Sequence, residues 1–223
     1  MRKIKIFLCF LGVTLLFVGC SKNNVTSLDN SGSGQTGIIP KDAEDKEVVS
    51  PSDIVLRNFF LADGSKAHYQ GEGNEFAELD IEVTQPFENY VVIYENNGGS
   101  LVRYIYKIEK DQIVVVEKKM VESKADFPAL KELDAMTPMG IYLKTPFVKG
   151  TTFDDWTIID TDVTLVTPYQ TFEHVFVIEE QARDIVNRKY FADGFGEVKR
   201  ESIMITDDGG EYIVTSTLKA VDQ

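Results

Sequence analysis

From residue 79 onward the chain is written largely in a period of two. Leu79, Ile81 and Val83 alternate with Glu78, Asp80 and Glu82, so an extended backbone puts an apolar face on one side of the pleat and a charged face on the other. The run Tyr90-Val91-Val92-Ile93-Tyr94 ends at Asn96-Asn97-Gly98-Gly99, residue types that accept the positive φ of a tight hairpin. Val102, Tyr104, Tyr106 and Ile108 then share a face opposite Arg103 and Lys107, and Lys110-Asp111 turns the chain into Ile113-Val114-Val115-Val116. Three strands on short turns predict an antiparallel meander. Further runs near His68 to Gly71 and over 141–147, 156–166, 172–179, 190–192, 198–206 and 212–221 bring the total to ten or eleven strands. Turns at Thr167-Pro168, Asp193-Gly194 and Asp207-Asp208-Gly209-Gly210 separate the later ones. One helical candidate covers 126–133, with Asp126 as its cap and Pro128 in its first turn. The expectation is all-β: a single antiparallel β-sandwich or half-open barrel of about ten strands with one short helix, occupying residues 53–223. A domain of that size buries close to 70% of its unfolded surface, enough for one core.

The N-terminus carries an address. Met1-Arg2-Lys3-Ile4-Lys5 precedes an apolar run from Ile6 to Val18, too short for the roughly 20 residues a spanning helix needs. A basic start, a short apolar core and a small-residue end describe a secretory signal peptide over 1–19. Its end, Leu16-Phe17-Val18-Gly19-Cys20, resembles a bacterial lipobox, with Phe17 where Leu is usual. Cys20 is then the lipid anchor and the first residue of a mature chain running from 20 to 223. With Arg2, Lys3 and Lys5 removed, 20 basic against 36 acidic residues give a charge of −16, compared with −13 for the whole chain. Cys9 leaves with the signal, so lipidation of Cys20 consumes the last thiol and no disulfide, thiolate nucleophile or cysteine metal site remains. Two acyl chains hold firmly where one is marginal. Residues 20–52 are polar and rich in Ser, Gly and Asn, which predicts a disordered tether with a root-mean-square reach of roughly 30 Å.

Chemical motifs are sparse. An acidic chain argues against nucleic acid as a partner. His68 and His174 are the two imidazoles, no Gly-x-Ser-x-Gly elbow occurs, and strict alternation would place His174 with Phe172, Phe176 and Ile178 on one strand face, as a core or rim residue rather than a base. Two distant histidines make a weak zinc set. Asp154-Asp155, Asp160 with Asp162 on one strand face, and Asp207-Asp208 are carboxylate candidates for calcium, but none has EF-hand spacing. Gly71-Glu72-Gly73-Asn74-Glu75 lacks the ending of a phosphate loop and reads as a tight strand connection. Tyr90, Tyr94, Tyr104 and Tyr106 cluster in the meander, as packing or as the wall of a cavity. No metal, cofactor or catalytic residue is assigned.

Three stretches, Tyr69-Gln70-Gly71-Glu72-Gly73-Asn74-Glu75-Phe76-Ala77, Pro146-Phe147-Val148-Lys149-Gly150-Thr151-Thr152-Phe153 and Tyr190-Phe191-Ala192-Asp193-Gly194-Phe195-Gly196-Glu197-Val198-Lys199, occur in this order. The set resembles surface lipoproteins of Firmicutes, some of which carry copper-amine-oxidase N-terminal-like domains. Phe147, Phe153 and Phe195 stand where those proteins have Leu, Trp and Val. The resemblance implies an all-β extracytoplasmic domain and carries over no activity. Within its motifs Glu75 is the polar residue to watch, because a carboxylate beside a Gly-rich bend can bind backbone N–H groups or a ligand.

The functional expectation is a non-enzymatic lipoprotein held at the extracytoplasmic face of the bacterial membrane by Cys20. It would act as a binding or structural module, with a surface protein as a possible partner. The alternative is a carrier of an apolar, lipid-like ligand in a half-open barrel, walled by Tyr94, Tyr104 and Tyr106 and closed by the segment Glu122 to Met139. Its motive is the two-faced apolarity of Val91 to Ile93 and Ile113 to Val116, which a sheet covered on both sides explains equally.

Overall fold

The structure is a computed structural model and describes residues 55–125, 127–206 and 208–222. The signal segment, Cys20, the tether, Asp126 and Asp207 lie outside the described residues. A single-turn 3-10 helix, Leu56–Phe59, precedes β1 (Lys66–Glu72), β2 (Leu79–Phe87), β3 (Tyr90–Asn96), β4 (Leu101–Ile108), β5 (Gln112–Met120) and α1 (Leu130–Asp134). There follow β6 (Gly140–Lys144), β7 (Thr152–Phe153), β8 (Trp156–Val166), β9 (Thr171–Ala182), β10 (Ile185–Ala192), β11 (Gly196–Ile205) and β12 (Glu211–Asp222). All twelve strands belong to one antiparallel sheet in the order β6-β5-β4-β3-β2-β1-β12-β11-β10-β9-β8-β7.

Every strand pairs with its neighbour in sequence except at one place. β6 and β7 are consecutive yet unpaired, whereas β1 pairs with β12 and joins the two ends of the domain. The opening of the sheet therefore falls in the middle of the chain. The two free edges abut there, and the Asp154 carboxylate accepts a 2.6 Å hydrogen bond from the Ile141 backbone N–H across the gap. The architecture is a nearly closed barrel.

A barrel of about eight strands is filled by its own side chains, and twelve strands enclose more space than that. The surplus is taken up by the N-terminal segment. Leu56, Phe59, Phe60 and Leu61 are buried in the main core as a plug. Phe59 packs edge-on against Phe147 and Phe176, with centroids at 4.8 and 5.2 Å, and Phe60 meets Tyr106 at 5.2 Å. The β10–β11 turn clasps the plug, with the Gly194 N–H donating to the Asn58 carbonyl at 2.9 Å. Gly196 has φ +76°, and a Cβ on it would sit 2.4 Å from the Phe59 carbonyl oxygen, so only glycine lets the two backbones meet. Two of the three motif stretches, through Phe147 and through Gly194 to Gly196, thus hold the plug.

Alternation explains a second, outer layer. On β3, Val91 and Ile93 point into the barrel while Tyr90, Val92 and Tyr94 point out. The outward set, with Ile105, Val114 and Val116, is covered by the segment after β5, whose Leu133 is fully buried. That accounts for the two-faced apolarity of β3 and β5. It also corrects the placement of Glu122 to Met139, which buttresses the outside of the wall and does not close the barrel. The helix is shorter than expected: Ala129 is its N-cap, and the Glu132 carboxylate accepts the Ala129 N–H at 2.8 Å.

Strict alternation fails on β8 and β9, whose pairing slips at three places between Ile158 and Leu165. His174 has φ +54° and its side chain is 82% exposed, paired with Asp162 at 2.8 Å, so it leaves the face shared by Phe172 and Phe176. A bulge inserts a residue and turns the following side chains over, which is why His174 does not share the face that strict alternation gives it. Asp160 is taken up locally, accepting from the Thr161 and Asp162 N–H groups at 2.8 and 3.3 Å, and does not act with Asp162.

Candidate functional site: the open mouth of the barrel

The strands alternate in direction, so the connections sort to two ends. Those at 88–89, 109–111, 145–151, 167–170 and 193–195 surround the plug, and those at 73–78, 97–100, 121–139, 154–155, 183–184 and 206–210 surround the other end. The plugged end is aromatic. At the other end the inward positions become polar, and the lumen opens as a mouth of about 370 Å³ with Lys118, Glu180, Asn187, Lys189, Ser202 and Trp156 on its walls. A side recess of about 190 Å³ runs along the seam past Ile141 and Trp156. Below it, beside the plug, the closed interior retains only about 60 Å³, room for a few waters.

The floor of the mouth is a charged network built across the lumen. Arg200 on β11 donates from Nη1 to Glu95 on β3 at 3.0 Å, four strands away in the sheet, and from Nε to Glu197. The other Glu197 oxygen receives Lys189 at 3.2 Å and the Tyr142 hydroxyl at 3.3 Å, while the Tyr69 hydroxyl donates to the Glu197 backbone carbonyl at 2.6 Å. Burial alone would raise the carboxyl pKa of Glu197, but Arg200 and Lys189 outweigh it and hold the group at about 2, fully ionised. Burial pushes Tyr104 up to about 12, with the Glu95 charge adding to it. Burial and then Glu197 push Tyr106 and Tyr142 well above the ordinary phenol value. Replacing all of such a buried network by apolar side chains would cost little, but removing one member strands the others, and the network fixes the position of every group in it.

Aromatic rings hold the remaining cations. The Lys189 ammonium lies 5.1 Å from the Tyr142 centroid and 5.6 Å from that of Trp156, and Lys118 lies 5.4 Å from that of Tyr104. The rim is narrowed from one side by the β1–β2 connection. A Cβ on Gly71, which shares the inward face with Tyr69, would lie 2.1 Å from the Glu78 nitrogen, so residues 73–78 fold back over the inner face. This flap is tied down by hydroxyls of β12: Ser216 donates to the Ala77 carbonyl at 2.6 Å and Tyr212 to that of Gly73. The first motif stretch therefore shapes the mouth.

Of the residues singled out in the sequence, Tyr104 and Tyr106 face the lumen together, with centroids 6.2 Å apart. Tyr94 does not join them; it belongs to the outer layer beneath Lys124. Glu75 is exposed on the flap. Glu95, Glu197, Arg200, Lys189, Lys118 and Trp156 were missed. Their signal was present in two cases: Lys189 shares a strand face with Phe191, and Glu95 follows Val91 and Ile93 on the inward face, and a charge on an apolar face needs a buried partner. Among the described residues, no three or more His, Cys, Asp or Glu side chains converge as a metal site, and no helix is long and apolar enough to cross a membrane.

No family model matches the chain, and no curated protein matches it. Two solved structures are similar over part of it. One is a protein assigned as exported, with a YmcC-like fold, from Bacteroides fragilis, at 13% identity and a TM-score of 0.47, covering 74% of this chain and 98% of that one. The other is a protein assigned as a lipoprotein, from Parabacteroides distasonis, at 12% identity and a TM-score of 0.48, with the same coverage of 74% and 98%. Likenesses of this strength give this chain neither a fold nor a role.

Proposed function

We propose that the protein is a lipoprotein held by Cys20 at the extracytoplasmic face of the bacterial membrane, and that its barrel is a non-enzymatic binding module that takes its ligand at the mouth. The observation that carries this reading is the asymmetry of the lumen. One end is packed with the aromatic plug, and the other is an open polar chamber over a floor whose groups are already fixed by one another. Fixed polar groups around a concave space are what a binding site requires. Catalysis there is not supported: Glu197, ionised down to about 2, is a poor proton donor near neutral pH, and the lumen tyrosines stay protonated. The apolar-carrier reading is not favoured either, because the closed interior of about 60 Å³ is far below the several hundred Å³ such a ligand needs.

Two experiments test the two halves of the proposal. Cys20→Ala is expected to abolish labelling by radioactive palmitate and to move the protein from the membrane to the soluble fraction; continued membrane retention overturns the anchor. For the module, a thermal-shift screen of small polar molecules against the full chain is expected to find ligands whose stabilisation disappears with Trp156→Phe together with Lys118→Gln. A lipid-mass adduct in native mass spectrometry would instead favour the carrier.

A further inference from the structure

The cations at the mouth keep hydrogen-bonding capacity in reserve. Arg200 commits Nε to Glu197 and Nη1 to Glu95, which leaves Nη2 without a protein partner among the described residues. Lys118 lies over the Tyr104 ring and has no carboxylate within ion-pair distance among the described residues. Lys189 spends one contact on Glu197 and rests on the faces of Tyr142 and Trp156, which attract an ammonium without using up its N–H donors. The carboxylates are more committed: Glu197 and Glu95 are occupied by these cations, Glu201 pairs with Lys199 at 2.6 Å, and Glu180 alone of them has no cation among the described residues, accepting only from the Asn187 amide at 3.2 Å. A chain with a charge of −13 has therefore gathered uncommitted donors in one concave place.

We infer that the mouth binds a small polar molecule through an oxyanion group, a carboxylate or a phosphate; the inference rests on the mouth being the binding site proposed above. Lys118 and the free edge of Arg200 supply charge-assisted donors, the strong kind of hydrogen bond for such a group. Asn187 and Ser202 on the same walls suit hydroxyls on the rest of the molecule. A chamber of about 370 Å³ limits the ligand to one or two rings. The acidic exterior disfavours a long polyanion, whose remaining charges would lie outside the mouth.

Trp156 is the only tryptophan of the chain, so its fluorescence reports the mouth alone. The full-length lipoprotein in detergent is titrated with D-glucuronate and its neutral counterpart D-glucose, with glycerol phosphate and glycerol, and with inorganic phosphate alone. The expected result is a saturable change for at least one acid, with affinity about ten-fold or more above that of its neutral partner. That binding should weaken with added salt. Lys118→Gln, an exposed substitution, is expected to weaken it roughly five-fold, and Lys118→Arg to restore it. The two acids distinguish a carboxylate from a phosphate ligand, and inorganic phosphate shows whether the bare anion suffices. A neutral partner that binds as tightly as its acid, or a Lys118→Gln variant indistinguishable from wild type, overturns the oxyanion assignment while leaving the mouth a binding site. No saturable change with any probe also overturns it, and the thermal-shift screen then decides separately whether the binding reading falls too.

Discussion

Glu197 is the residue on which the lumen turns. It is only 9% exposed and holds two cations and a hydroxyl, with its folded pKa depressed from 4.5 to about 2. The stabilisation it contributes is present above its unfolded pKa and is lost as pH falls from about 4.5 toward 2, amounting to about 3 kcal/mol at full strength. Glu197→Gln is therefore expected to lower stability at neutral pH by about that amount, because Arg200 and Lys189 lose their shared anion, and to flatten the acid limb of a stability-versus-pH curve. The tyrosines give the complementary experiment. Tyr69, Tyr90, Tyr104, Tyr106, Tyr142 and Tyr190 all have raised pKa values, with burial the first cause of each. Their protonated state favours the fold below pH about 10, and that contribution is lost as pH rises beyond it. An ultraviolet titration should find at least these six of the nine tyrosines protonated at about pH 11 while the fold persists. Little of this was legible in the sequence, because Glu95 reaches Arg200 only when β3 faces the β10–β11 hairpin across the lumen. What alternation did reveal was the shared face of Tyr104 and Tyr106. It could equally have shown that Tyr94 lies on the other face of β3 from Val91 and Ile93.

At the scale of elements, strands and hairpin turns were legible and their exceptions were not. The runs at 79–83, 90–94, 102–108 and 113–116 became β2 to β5 because alternation and turn residues agree there. The two-residue β7 has too few positions to show a period. The plug was passed over because Leu56, Phe59, Phe60 and Leu61 follow no strand pattern, and a bulge such as that at His174 is set by packing rather than by local residue type. Glycines of the plug clasp offer a graded test. Gly194→Ala, at φ +78° with open space around it, is expected to cost about 1 kcal/mol. Gly196→Ala must also push back the Phe59 carbonyl and should cost about 2 kcal/mol or more by chemical denaturation. Leu133→Ala, at the fully buried centre of the outer layer, is expected to cost about 2–4 kcal/mol while leaving mouth binding unchanged, since the segment is a buttress on the outside of the wall.

For the molecule as a whole, the all-β class could be read from period and turn chemistry, but the closure could not. It depends on β1 meeting β12 some 150 residues later, a pairing from Lys66 with Asp222 to Glu72 with Thr215, with one register shift after His68, that no local signal announces. Every other ladder joins neighbours in sequence, so the fold is two six-stranded meanders, β1 to β6 and β7 to β12, held by that one long-range ladder, by the plug and by the Asp154 bridge across the seam. Local hairpins form before distant pairings because loop closure costs grow with separation. Severing the connection at 148–149 leaves every hairpin inside one fragment, unlike a cut at 97–100, which parts β3 from β4. Co-expressed pieces 1–148 and 149–223 should reassemble into a one-to-one complex, seen as co-purification and a restored Trp156 emission, where pieces cut at 97–100 should not. The seam in the wall is thus a natural point of division, across which one polypeptide can be exchanged for two.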